Sequence, residues 1–251
     1  MRLIRFSALL GLTSVLALGQ PRAYTAPRTP DGHPDLQGIW QVLNTAAVNL
    51  EDHIAVLDMP AGRSVIVDPP DGKIPYRPEA ALKQKENFKN RAKADLLNQC
   101  YIPGVPRVMY LPFPLQIVQT PKFVIVASEF AHTLRRIYMD GTKHPGDVDF
   151  WIGDSRGRWE GETLVVDVAN LNPDTWFDRS GNFHSDALHI VERFTRTEPD
   201  LLTYEATLED PKVFTRPWTI RMPLYRHREP NFQLLEYECN AYLEDAAKEN
   251  Q

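Results

Sequence analysis

The sequence predicts a mainly β protein: a single antiparallel, barrel-like domain with one peripheral helix. Short segments rich in Val and Ile alternate between apolar and polar residues, which is the period of a half-buried strand. These segments recur about every 8 to 12 residues and are separated by turn dipeptides such as Asp140-Gly141 and Glu160-Gly161. The 21 prolines and 13 glycines supply many turns, and the aromatic content of 10% suits a β core. Together these features favour a meander that closes into a barrel or a sandwich.

The predicted strands begin at residues 36–44, LQGIWQVLN, where Trp40 is expected to point into the core. After a proline-rich stretch at 100–114, further strands are predicted in LQIVQT, KFVIVASEF, HTLRRIYMD, DVDFWIGDS, RGRWEG, ETLVVDV, LHIVERFTR, LLTYEATLE, FTRPWTIRMPLYR and FQLLEYECN. The chain has no repeat of fixed period and no second hydrophobic core. Residues 36–245 are therefore interpreted as one domain.

The one clear helix is predicted over residues 78–98. Pro78 stands at its first position, and Glu and Lys follow at helical spacing. Its apolar stripe is narrow, so we expect the helix on the outside of the sheet with its charges in solvent.

The N-terminus has the pattern of a secretory signal peptide. Arg2 and Arg5 precede an apolar run, and cleavage is predicted after Gly19, with Ala23 and Ala26 as alternative positions. Residues 20–35 are expected to form an extended leader. The alternative is a membrane anchor, but the run of about 13 residues is shorter than the roughly 20 that a spanning helix needs. We therefore expect a secreted or periplasmic protein.

Two cysteines, Cys100 and Cys239, are predicted to form a disulfide, because an even pair in an oxidising compartment most simply pairs. The alternative is a reactive thiol. Glu236 and Glu238 precede Cys239 in the last predicted strand, and their charge disfavours a thiolate.

The composition excludes several classes of partner. A net charge of -5 without a basic stripe argues against nucleic acid and anionic membranes. Dinucleotide-binding glycines, a P-loop and a haem-attachment motif are absent from the sequence, so no cofactor is implied. The expected partner is a small hydrophobic molecule, and the sequence leaves the oligomeric state open.

Long motifs run through the mature chain: PDLQGIW, CYIPGVPR, GRWEGETLVVD, HSDALHIVERF and EDPKVFTRPW. They resemble a large family of secreted bacterial proteins, abundant in soil phyla, that has no established activity. The resemblance implies a secreted barrel and transfers no catalytic residue. Gly38 and Trp40 also resemble the Gly-x-Trp opening motif of lipocalin or calycin barrels, although the Thr-Asp-Tyr motif of lipocalins is absent from this chain.

The connection between the predicted strands 163–168 and 188–194 concentrates the polar chemistry. We expect residues 170–187 to be ordered over one mouth of the barrel, with Trp176 as the buried anchor. His184, oriented by Asp178 or Asp186, is the candidate for proton transfer. The predicted ligand contacts are Trp176, His189, Arg136, Tyr204 and Tyr237.

Metal binding and nucleophilic catalysis by serine have weaker support in the sequence. The loop could bring His and Asp ligands together, but compact metal motifs such as H-E-x-x-H are absent from the sequence, so no metal is predicted. Residues 153–157, GDSRG, are similar to a nucleophile elbow but stand between two predicted strands instead of between a strand and a helix.

The alternation along the predicted strand 188–194 puts His189 and Glu192 on opposite faces. It leaves open which of these faces lies inside the barrel.

Two functions therefore remain. One is a barrel that acts on a small hydrophobic molecule by cofactor-free acid–base chemistry, as a lyase, isomerase or cyclase does. The other is a non-catalytic protein that binds such a molecule.

Overall fold

The computed structural model describes residues 24–241 and residue 244. The predicted signal peptide, residues 1–19, lies outside the described residues, and so does the predicted leader up to residue 23. In chain order the elements are β1 (Gly38–Gln41), β2 (Ile66–Asp68), α1 (Pro78–Ala94), two 3-10 helices (Leu96–Gln99 and Arg107–Tyr110), β3 (Leu115–Gln119), β4 (Phe123–Ser128), β5 (Leu134–Tyr138), β6 (Asp154–Glu160), β7 (Thr163–Ala169), β8 (His189–Glu198), β9 (Leu201–Glu209) and β10 (Trp218–Arg226).

Nine of the described strands close into a barrel, which confirms the predicted fold class. Their order around the barrel is β1, β3, β4, β5, β6, β7, β8, β9, β10, and the ring is completed because β1 pairs with the last residues of β10. The short strand β2 pairs with the first residues of the same β10 edge and lies outside the ring. Full closure removes the exposed edges that an open sheet of this size would present.

The barrel is mixed instead of purely antiparallel, because β5 and β6 run parallel. A closed ring with an odd number of strands cannot alternate direction throughout, so nine strands require a parallel pair. Here it is the pair joined by the long connection 139–153, which carries the chain back to the end where β5 began.

Two predicted strands are wrong, and the absence of the first explains why β5 and β6 run parallel. The segment DVDFWIGDS lies largely in that connection, and only its last two residues enter β6. The segment FQLLEYECN contains no strand and touches the barrel through an isolated bridge between Tyr237 and Phe130. Cys239 therefore does not lie in a last strand.

The core fills the barrel interior. Alternation along β7 to β10 turns one set of side chains inward, and the fully buried members include Leu164, Val166, Ile190, Leu202, Ala206, Ile220 and Leu224. Trp40 and Trp218 are buried among them, as predicted for Trp40. We call the end where β4, β7 and β9 finish and where β5, β8 and β10 begin the loop end, since the long connections gather there.

The predicted helix 78–98 is divided at Asp95. The helix α1 ends at Ala94, and a 3-10 turn follows after Asp95 takes an extended conformation. The Asp95 carboxylate accepts two hydrogen bonds from Arg107 at 2.8 Å, and both side chains are 2% exposed. This buried ion pair joins the helical region to the second 3-10 turn. As predicted, α1 lies on the outside, and Ala80 is its buried residue.

The described part of the leader folds back onto the barrel. Thr29 and Gly32 form a tight turn, and His33 stacks on Trp159 with ring centroids 5.1 Å apart. Among the described residues, no helix has the length and apolar composition needed to span a membrane.

Candidate ligand-binding site

The segment 170–188 closes the loop end with Phe177 as its anchor. Phe177 is 1% exposed and packs against Trp218 and Phe214, with ring centroids 5.9 and 6.3 Å away. The buried hydroxyl of Tyr110 donates a hydrogen bond to the Phe177 carbonyl oxygen at 2.9 Å. Trp176, the predicted anchor, is only half-buried. The predicted anchor was wrong by one residue, because the backbone turns the side chain of Phe177, and not that of Trp176, toward the core.

Asp178 organises the backbone of this segment. Its carboxylate is fully buried and accepts hydrogen bonds from the Leu50 amide, the Ser180 amide and the Asn182 side chain at 3.0, 2.9 and 2.6 Å. Burial raises the pKa of Asp178 to about 7, although the bonds from Asn182 and Leu50 and the charge of Arg107 act in the opposite direction. Asp178 thus shapes the loop.

His184, the predicted proton-transfer group, is buried within the same segment. Its Nδ1 lies 2.9 Å from the Ser185 carbonyl oxygen and must donate, while Nε2 lies 2.9 Å from the Thr175 hydroxyl. Burial lowers the pKa of His184, so the neutral ring that fits these contacts is favoured. The predicted partners do not orient this ring: Asp178 bonds elsewhere, and exposed Asp186 pairs with Lys212 at 2.6 Å. Catalysis by His184 stays a prediction.

Tyr204 belongs to a polar group inside the barrel. Its hydroxyl donates to Glu192 at 2.7 Å, and Glu192 forms a two-point ion pair with Arg135. Ser155 accepts from the same guanidinium at 3.0 Å. Burial and the Glu192 charge raise the pKa of Tyr204 well above its usual value. These contacts occupy the hydroxyl group of Tyr204. They also show which face of β8 points into the barrel, namely the one that carries Glu192.

Arg136 and His189 lie on the outer surface. Arg136 is exposed, with its guanidinium over the Phe123 ring at 5.1 Å from the centroid. His189 bonds to Asp167 at 3.1 Å. Neither residue faces Tyr204, so the predicted ligand contacts do not converge.

An outer polar cluster forms around His144, in the connection 139–153. Its Nδ1 lies 2.6 Å from an Asp154 carboxylate oxygen and its Nε2 2.8 Å from an Asp167 oxygen, which also faces His189. Burial raises the pKa of Asp167, but the bonds from both histidines outweigh it and lower the value overall. Because His144 joins its loop to β6 and β7, the cluster fastens the crossing connection to the barrel. Within the described residues, no three His, Cys, Asp or Glu side chains are arranged to hold a metal ion.

An apolar cavity of about 400 Å³ opens at the loop end. That volume lies in the range of small-molecule sites. Its walls come from segments far apart in the chain, namely Ala47, Val48, Leu97, Asn98, Leu111, Pro112, Phe113, Phe130, Arg179, Tyr237 and Cys239. Of the predicted ligand contacts, Tyr237 is the one found in this wall.

Three aromatic rings form one side of the cavity. Phe113 lies 5.3 Å from Phe130 and 4.8 Å from Tyr237 between ring centroids, and Phe130 lies 5.4 Å from Tyr237. The two pairs that Phe113 forms are tilted and the third is stacked, and such ring pairs are favourable beyond the area that they bury.

One disulfide and two hydrogen bonds hold the remaining walls. A disulfide joins Cys100 to Cys239, as predicted, with the Cα atoms 5.5 Å apart, and so fixes the segment that carries Tyr237. On the other side, the Arg179 amide donates to the Ala47 carbonyl oxygen at 3.0 Å, and the Ser180 hydroxyl to the Val48 carbonyl oxygen at 3.0 Å. The closing segment and the loop after β1 are thereby joined at the cavity.

The sequence interpretation missed Phe113, Phe130 and Arg179. Phe113 stands between two prolines, and an aromatic residue held in such a stretch is a signal for a loop site that could have been used. Phe130 stands two residues after the end of β4 and has no such signal. Arg179 was one of several charged loop residues and could not be singled out.

No protein-family model matches the chain, and the search of curated proteins finds no match.

Proposed function

We propose that this protein binds a small hydrophobic molecule in the apolar cavity at the loop end. The observation that carries the proposal is a cavity of about 400 Å³ with three packed rings on one side and one charged side chain, Arg179, in its lining. Apolar walls with few orienting polar groups are typical of sites that bind small molecules. Binding is proposed here at the end of the barrel, not in its interior.

Binding without catalysis is the version that we favour. A proton-transfer group must come within hydrogen-bond reach of its substrate. His184 is 2% exposed, both of its ring nitrogens face the loop itself, and it is not among the residues that line the cavity. The acid–base enzyme is the second candidate, and it would need the loop to open.

A fluorescent probe tests the proposal. The uncharged dye N-phenyl-1-naphthylamine brightens in apolar sites, so titration should give a saturable signal with one site per chain. Val48→Trp would place an indole in the cavity and should abolish the signal. Leu134→Trp adds the same group on the outside of β5, where Leu134 is 59% exposed, and should leave the signal unchanged.

The outcome is decisive in both directions if the variants keep the circular dichroism spectrum and melting temperature of the native chain. Loss of binding in Val48→Trp alone supports the site. Equal binding by all three proteins, or no saturable binding by any of them, rejects it.

Export to a secreted or periplasmic location is part of the proposal. Disulfides persist in oxidising compartments, so the Cys100–Cys239 bond is in keeping with the signal-peptide pattern of residues 1–19. Membership of the family of secreted bacterial proteins rests on the sequence motifs and is proposed on the same footing. Expression with and without residues 1–19, followed by fractionation of the cells, tests the location.

A further inference from the structure

Arg179 stands where the apolar cavity meets solvent. It is the charged residue in the cavity lining, and its side chain is 38% exposed. Its guanidinium faces Asp58, with Nη2 3.2 Å from a carboxylate oxygen and Nη1 3.3 Å from the carbonyl oxygen. Asp58 lies at the tip of a hairpin closed by bridges between His53 and Gly62 and between Val56 and Met59.

Asp58 is shared between two arginines. Its other carboxylate oxygen accepts from Arg91 of α1 at 3.2 Å. One carboxylate therefore faces two guanidinium groups, and the pairings leave one positive charge in excess at the rim. An anionic group placed beside Arg179 would complete the neutralisation.

Resting on the proposed function, we infer that the ligand is an amphipathic monocarboxylate. Its apolar body would fill the cavity against the three rings, and its carboxylate would replace Asp58 at Arg179. Charge complementarity selects this class over a neutral hydrophobic molecule, because the planar guanidinium can donate two parallel hydrogen bonds to a carboxylate.

The exchange of partners at Arg179 costs little. Asp58 is 49% exposed, and ion pairs between exposed side chains contribute little to stability. After the exchange Asp58 remains paired with Arg91, so its carboxylate keeps a cationic partner. The ligand carboxylate, in contrast, would sit against the apolar wall, where water screens the interaction less.

A matched pair of ligands tests the inference. Dodecanoic acid and dodecanol share the same chain and differ in the head group. Both are titrated at pH 8, below the concentration at which the acid forms micelles, and each should displace N-phenyl-1-naphthylamine. The acid should bind about tenfold more tightly than the alcohol, since a charge-assisted hydrogen bond raises affinity by about that factor. Rising salt should narrow this difference.

Two variants locate the effect. Arg179→Gln should lower the affinity for the acid to that for the alcohol and leave the alcohol unchanged. Asp58→Asn removes the competing carboxylate and should raise the affinity for the acid. Arg63→Gln is the matched control, because the Arg63 side chain is 95% exposed and does not contact Arg179 or Asp58 in the pairs described, and it should change neither affinity.

The possible failures are distinguishable. If the probe does not bind the native chain saturably, the proposed binding function is wrong. If the probe binds but the acid does not displace it, the carboxylate inference is overturned. If both displace it equally and Arg179→Gln has no effect, the cavity binds neutral molecules and the carboxylate inference is overturned.

Discussion

Arg135 of β5 and Glu192 of β8 meet inside the barrel as a two-point ion pair, three strands apart around the ring. Their side chains are 1% and 0% exposed. Removing two charges from water is costly, and the pair is tolerated because Tyr204 and Ser155 satisfy the remaining polar atoms. The barrel therefore has a polar centre that joins β5, β6, β8 and β9.

Breaking this pair on one side should be severe. Arg135→Met leaves the Glu192 carboxylate buried without its cation, and a loss of about 3 to 5 kcal/mol in the free energy of unfolding is expected. Arg135→Met combined with Glu192→Leu removes both charges and should recover most of that loss. Urea unfolding of the two variants and the native chain measures the difference. Equal losses in the single and double variants would contradict this explanation.

The anchor of the closing segment gives a second test. Phe177→Ala removes a buried ring that packs on Trp218 and should cost about 3 to 5 kcal/mol. Trp176→Ala changes a half-buried neighbour and should cost about 1 kcal/mol. Thermal unfolding, together with limited proteolysis within residues 170–188, compares the two. A larger effect of Trp176→Ala would restore the sequence-based assignment.

Most of the barrel could be predicted from the sequence because alternation is a local property. β7, β8 and β9 each repeat the two-residue period that turns one face inward. The parallel pair could not be predicted, since it depends on residues 147–153 forming a connection, and their apolar aromatic residues look like those of a strand. Residues 232–240 alternate as well, but a disulfide, ring contacts and one isolated bridge to Phe130 hold them, and they do not form a strand.

The candidate site was harder to predict for a related reason. His184, Asp178 and Trp176 are close in sequence, which made them look like one site, but each has a separate local partner. The cavity is built from loops separated by many residues, and the disulfide together with tertiary packing brings Phe113 near Tyr237. Between adjacent aromatic residues such as Trp176 and Phe177, no period decides which one is buried.

Two buried groups in the closing segment should give the stability opposite pH slopes. Asp178 has its pKa raised to about 7, so the folded chain holds a proton that the unfolded chain has lost, and this contribution makes stability fall as pH rises from about 4 to about 7. His184 has its pKa lowered, so the unfolded chain binds the proton first, and this contribution makes stability fall as pH drops below the ordinary value of 6.5.

Replacing His184 should reveal the slope of Asp178. In His184→Gln the acid-side loss is removed, so between pH 6 and pH 5 the variant should gain stability relative to the native chain, by at most about 1.4 kcal/mol per pH unit, the limit for one proton. Urea unfolding at pH 5, 6, 7 and 8 measures both curves, and Asp186→Asn, which changes an exposed residue, serves as the control. Parallel curves for His184→Gln and the native chain would show that His184 does not titrate on unfolding.

The disulfide should support both the stability of the chain and the cavity. Cys100 and Cys239 are 139 residues apart, and in the chain-entropy model a bridge across a loop of that length contributes about 5 kcal/mol. Because residues 230–240 contain no strand, loss of the bond should also release Tyr237 from Phe113 and Phe130. The double variant Cys100→Ser with Cys239→Ser should therefore melt about 10 to 20 °C lower and bind N-phenyl-1-naphthylamine weakly at a temperature where it is still folded.

Tyr237→Ala with the disulfide intact separates the effect on stability from the effect on the cavity. This variant should lose much of the probe affinity, and its melting temperature should change little. A double serine variant that keeps the full probe affinity would show that the cavity wall holds without the bond.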